Sequence, residues 1–143
     1  FRRKSLHRFH NDMAHVFFEG AKKIRDLYGG DAKRIWMGSP PSAKIIRRFL
    51  EFDGIGPKLA TMATNILLRQ FKIQMTDRAS IDISADRQVM KYFQSNGLLR
   101  EGAKKEELIY LAREINPDYP GLLDLLAWEE GRQIRKKSPN ANP

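Results

Sequence analysis

Residues 49–63, FLEFDGIGPKLATMA, constrain this chain more than any other stretch. Apolar residues at helical spacing run into Asp53-Gly54-Ile55-Gly56. Pro57 then suits the first position of a second helix, where the N–H it lacks would have been unpaired anyway. Two glycines at i and i+2 permit a tight turn with positive φ and let another backbone come close. The expected product is a pair of helices joined by a loop that turns several amide N–H groups outward. Beside a helix N-terminus, such an array suits a phosphate. The same residues also satisfy a plain helix-to-helix turn around a buried Ile55.

The rest of the chain reads as further helices. Leu6, Phe9, Met13, Val16, Phe17, Ala21, Ile24 and Leu27 recur at three-and-four spacing, which predicts one long amphipathic helix over 5–28, stopped by Gly29-Gly30. Asp31 is placed to cap a short helix through Trp36, and Ser42 to cap the first hairpin helix over 43–52. The second hairpin helix is expected from Pro57 to about Phe71, burying Leu59, Met62, Ala63 and Ile66. Residues 72–83 alternate Ile73/Met75 and Ile81/Ile83, so an extended excursion or loose hairpin is expected there. Helices follow over 85–96 behind Ser84, with Val89, Met90 and Phe93 inward, and over 103–115, with Leu108, Ala112 and Ile115 inward. A last helix covers 122–134, and Trp36 and Trp128 read as core residues. The fold class is therefore all-α. One core is expected to gather Ile46, Phe49, Ile55, Leu59, Met62, Ile66, Val89 and Phe93. A single domain over 1–137 and a disordered tail over 138–143 complete the expectation.

Charge narrows the partner. Twenty-six Lys and Arg against 17 Asp and Glu leave +9, without low-complexity runs, which favours a nucleic acid or another polyanion. The chain has no cysteine, which excludes disulfides and thiolate metal sites. His7, His10 and His15 fall on the first helix with no second ligand at metal spacing, so no metal is expected. No apolar run approaches membrane length and nothing reads as a signal peptide, which points to a cytoplasmic protein. Neither a Ser/His/Asp pattern nor a Walker loop is present.

FDGIGPKLATMA followed by IDISADRQVMKYFQSNGL resembles the helix-hairpin-helix DNA glycosylases, the endonuclease III-like enzymes of base-excision repair. The likeness extends loosely through YGGDAKRIW and YPGLLDLLAWEEGR. The family's G-x-G-x-K hairpin is matched by Gly54-Ile55-Gly56-Pro57-Lys58. Its catalytic aspartate, in the form D-x-x-V-x-R, is matched by Asp86-Arg87-Gln88-Val89-Met90-Lys91. Ala85 stands where relatives often have Pro, and Gln88 where His is common. The four-cysteine iron–sulfur loop that many relatives carry after the last helix has no counterpart, so no cofactor is implied. The helices that relatives place before the long first one are also missing. The resemblance thus implies an incomplete form of the fold, with an apolar face left uncovered on 5–28 or 122–134 and self-association through it.

The implied activity is removal of a damaged or mismatched base from double-stranded DNA, with an AP-lyase step added. The target nucleotide must be flipped out of the duplex at a cost of a few kcal/mol. Breaking the N-glycosidic bond builds positive charge on the sugar, which an ionised Asp86 beside C1′ would stabilise. Lys58 falls in the first turn of a helix, where a cation is disfavoured by roughly 0.3–1 kcal/mol, and a free amine there could attack C1′. Gly54, Ile55, Gly56 and Lys58 would hold DNA backbone, with Arg87 and Lys91 as further contacts. Simpler roles exist for each: Asp86 as an ordinary N-cap and Lys58 as a phosphate-binding or solvated lysine. The competing functions are a non-catalytic hairpin module that only grips DNA backbone, and a helical partner-binding domain whose charge is incidental.

Overall fold

The computed structural model describes residues 10–137. Six α-helices are present among them: α1 (His10–Tyr28), α2 (Ser42–Phe49), α3 (Pro57–Arg69), α4 (Arg87–Ser95), α5 (Lys105–Ile115) and α6 (Asp124–Lys137). Short 3₁₀ turns cover Ala32–Ile35 and Pro120–Leu123, and no strand occurs among the described residues. The all-α class holds. No helix among these residues is long and apolar enough to cross a membrane. The tail expected over 138–143, and the part of the first helix before His10, lie outside the described residues.

Apolar side chains collect in two clusters instead of the single core expected. One holds Tyr28, Ile35, Ile45 and Leu67, with Phe49, Phe52, Ile73 and Met75 packed against it. The other holds Ile83, Ala85, Val89, Phe93, Leu108, Ala112 and Ala127. Val89 and Phe93 are therefore buried, but in a different cluster from Phe49. Leu59 and Ile66 are exposed, and Ile46, Ile55 and Met62 are half-buried.

The reason lies in α3. Its inward residues are Ala60, Thr61, Thr64, Asn65 and Leu67, a face of small and polar groups. Thr61 Oγ1 donates to the Pro57 carbonyl at 2.9 Å and Thr64 Oγ1 to the Ala60 carbonyl at 2.8 Å, so the hydroxyls enter the interior already satisfied. Asn65 Nδ2 donates to the Gly121 carbonyl, and Tyr119 Oη donates to Asn65 Oδ1. A purely apolar periodicity cannot find this face, because the Thr61 and Thr64 hydroxyls are satisfied within the helix and Asn65 by distant residues.

Ser42 is also corrected. Pro41 occupies the N-cap position of α2, with no side-chain cap. The buried Ser42 hydroxyl instead donates to Asp77 Oδ1 at 2.6 Å and accepts from the Ser80 N–H at 3.2 Å. It fastens the segment after α3 to α2. That segment has the expected alternation, with Ile81 and Ile83 buried, but joins no sheet. Trp36 is half-buried, whereas Trp128, expected in the core, is 36% exposed, and Ile115 is 51% exposed.

Packing of α4 on α6 is set by a missing side chain. A Cβ added at Gly131 would stand 2.7 Å from the Gln88 carbonyl carbon, a backbone atom that cannot swing away. At Gly20 the nearest atom to an added Cβ is Phe52 Cδ1 at 3.8 Å, an ordinary contact. Helix propensity alone favours Ala over Gly by about 1 kcal/mol. Gly20→Ala is therefore expected to be neutral or stabilising. Gly131→Ala should lose about 1–3 kcal/mol through overpacking, outweighing the propensity gain. Urea unfolding of the two variants checks this: equal midpoints would mean that α4 and α6 do not pack this closely.

Candidate active site

The hairpin loop runs from the end of α2 to Gly56. Gly54 has φ +77, the left-handed conformation the turn requires, and its missing Cβ faces the Val16 methyls at 3.4 Å. Gly56 departs from the expectation of a second positive φ. It sits at φ −88, ψ 177 as the N-cap residue of α3, with no side-chain cap. Pro57 follows as the first helical residue. Gly54 and Gly56 are exposed, and Ile55 is half-buried. The first-turn amides of α3 therefore lack a capping side chain, as a phosphate-binding terminus requires.

Asp86 is the N-cap of α4. Its Oδ1 accepts from the Gln88 and Val89 amides at 2.9 and 3.0 Å. The modest capping role is thus real. It uses only one carboxylate oxygen, and Oδ2 faces Lys58 Nζ at 3.5 Å. Two helix starts, thirty positions apart in sequence, are brought side by side with their functional groups in contact. Arg87 is exposed and Lys91 half-buried on α4, and neither lines the cleft in which this pair sits. The loop residues Gly54, Ile55 and Gly56 also lie outside it.

The cleft has a volume of about 460 Å³. One wall is a single stripe of α3, Lys58, Met62, Asn65, Ile66 and Arg69, continued by its C-cap residue Gln70. Ser84 and Asp86 line it from the segment leading into α4, and Asp124, Leu125 and Trp128 from α6. Met62 and Ile66, misassigned to the core, are cleft residues. The stripe was readable in the sequence, since positions 58, 62, 65, 66 and 69 fall on one helical face with Lys58. Asp124 carried a weaker signal, an acid opening a helix much as Asp86 does. Trp128 carried none, because a tryptophan at helical spacing reads as core.

Asp124 differs from Asp86 in what surrounds it. Its Oδ1 accepts from the Ser84 amide at 3.1 Å, and it forms no ion pair among the described residues. Burial pushes its carboxyl up to about 6. The Ser84 N–H opposes that shift, nearby Asp86 adds to it, and Lys58 and Arg69 hold it back. Among the described residues no group of His, Asp and Glu is arranged to hold a metal ion.

The raised value has a consequence for stability. The folded chain holds the Asp124 proton more tightly than the unfolded chain, so Asp124 favours the fold at acid pH. That contribution is lost as pH climbs through about 6. A shift of this size corresponds to at most about 3 kcal/mol, reduced by the solvent that reaches the cleft. Asp124→Asn keeps an oxygen for the Ser84 amide and removes the charge. It is expected to raise stability near pH 8 by about 1–2 kcal/mol, with the gain vanishing toward about pH 4. Denaturant unfolding at the two pH values tests this, and an equal effect at both would rule out an ionisation origin. No protein-family model, no curated protein and no solved structure matches the chain.

Proposed function

We propose that the cleft is the catalytic site of a base-excision DNA glycosylase with an associated AP-lyase step. The observation that carries the proposal is the meeting of Lys58 Nζ and Asp86 Oδ2 at 3.5 Å at the edge of a cavity of about 460 Å³. That volume suits one flipped-out nucleotide base, with Met62, Ile66, Leu125 and Trp128 offering apolar surface for its faces. Asp86 Oδ2, left over from the helix cap, is placed to stabilise the positive charge that develops at C1′. Lys58 as a free amine would form the new bond to C1′ as the base departs, and the resulting imine permits strand cleavage. The net charge of +9 and the uncapped start of α3 supply the attraction to backbone phosphate.

A second reading is favoured by a specific fact: Asp86 Oδ1 already serves as an ordinary N-cap of α4. On that reading the hairpin grips DNA backbone without chemistry.

Borohydride reduction separates the two. Wild type is expected to be trapped covalently on duplex DNA carrying an abasic site or the right lesion. Lys58→Gln should abolish trapping while retaining DNA binding. Asp86→Asn should slow base release and trapping together by about 10²–10³-fold, the usual loss of a transition-state electrostatic partner. Each assay is run at several salt concentrations, so that weakened phosphate attraction is not mistaken for lost chemistry. Base release without trapping would leave Asp86 catalytic through water and reduce Lys58 to a backbone contact. Binding with neither release nor trapping would favour the non-catalytic module.

A further inference from the structure

Resting on the glycosylase reading, we infer that Asp124 is a second catalytic carboxyl, the proton donor to the departing base. Lys58 and Asp86 are occupied with the sugar, which leaves the base without a group to neutralise the electron pair it takes away. Asp124 stands in the same cleft and is fastened through the Ser84 amide only two residues from Asp86. One of its oxygens accepts that amide, and no other protein group among the described residues bonds the second. Leu125 and Trp128, on the same helix, and Met62 and Ile66, across the cleft, form the apolar walls that a base ring would touch.

A second polar group stands beside Asp124. Ser84 lines the cleft and is only 4% exposed, yet its hydroxyl has no hydrogen-bond partner. A buried hydroxyl is rarely left this way, and a bound polar edge or ordered water would complete it. Asn65 cannot serve the same purpose, because its amide is already engaged by the Gly121 carbonyl and the Tyr119 hydroxyl.

The charged groups around Asp124 fit a proton carrier. Lys58 and Arg69 face it from α3 and Asp86 from the start of α4. Neither cation pairs with it directly, and the neighbouring carboxylate opposes a second negative charge. The upward shift to about 6 keeps a useful protonated fraction near neutral pH. In the step assigned, the C1′–N bond breaks with its electron pair on the base, and the Asp124 proton passes to the base. The Lys58 amine forms the new bond to C1′, and the proton shed from that nitrogen goes to water. Asp124 ends as a carboxylate.

The test uses single-turnover base release from duplexes carrying one modified base each. The base that is released is then varied by ring substituents of increasing electron withdrawal. Borohydride trapping on an abasic-site duplex runs alongside, because no base leaves in that reaction. Asp124→Asn is expected to slow base release by about 10²–10⁴-fold, the usual worth of a general acid, with trapping retained. The defect should shrink as the leaving base becomes more electron-poor. The rate advantage of wild type over the variant should fall as pH rises above about 6. Two results overturn the inference: base release by Asp124→Asn at the wild-type rate, or a fall in trapping as large as the fall in release. Should the variant not fold, a wild-type rate that climbs with electron withdrawal in the leaving base as steeply as that of uncatalysed cleavage does the same. Absence of both release and trapping in wild type is the separate failure of the glycosylase reading, and this inference falls with it.

Discussion

The Gly121 amide donates to the Ile81 carbonyl at 2.7 Å, and the geometry of the cleft depends on that bond. Residues 70–86 carry no helix and no sheet ladder, so their backbone polar groups need partners from elsewhere. They find them on several elements. Ser42 holds the outer part through Asp77 and Ser80, Gly121 holds Ile81, Arg113 holds Asp82 through two bonds, and Asp124 holds Ser84. Gly121 must be glycine for this, since a Cβ there would stand 2.8 Å from the Ile81 carbonyl oxygen. With the segment pinned so closely, Asp86 is delivered to Lys58 without a regular element spanning the gap.

Asn65 extends the same junction to α3. Its side chain joins the Gly121 carbonyl and the Tyr119 hydroxyl, so α3, the pinned segment and the start of α6 form one hydrogen-bonded unit between the two apolar clusters. Burying a polar face on α3 looks wasteful beside burying leucines. It frees Met62 and Ile66 to line the cleft, and places Lys58 on the same stripe. Exposed apolar side chains remain elsewhere: Phe17, Phe18 and Leu27 on α1, Leu122 on the 3₁₀ turn before α6, and Leu126 on α6. The expectation was an uncovered apolar face on 5–28 or 122–134.

Two carboxylates in one cleft have acquired different characters from their surroundings. Asp86 receives two helix-terminal amides and faces a lysine. Asp124 is desolvated by burial and feels the field of Asp86 with no paired cation, so it binds its proton more tightly than an ordinary aspartate despite the Ser84 amide. Residue type is identical, and the surroundings make the difference.

The sequence by itself determined the helices and the hairpin, and it singled out Lys58 and Asp86 as candidates. Pro57, Gly54, Gly97 and the three-and-four spacing are local signals, and local physics reads them: Gly54 adopts positive φ in the hairpin turn and Gly97 just after α4 stops. Lys58 and Asp86 were legible because each opens a helix next to a recognisable pattern. The tertiary structure alone decided that they meet, because the intervening segment follows no periodicity and is routed by long-range bonds. It also decided the inward face of α3, where Thr61, Thr64 and Asn65 displaced the expected Leu59 and Ile66 once their polar atoms had partners. Asp124 and Trp128 joined the site for the same reason. A side chain's spacing tells which face of a helix it shares, whereas what that face meets is fixed only when distant elements pack.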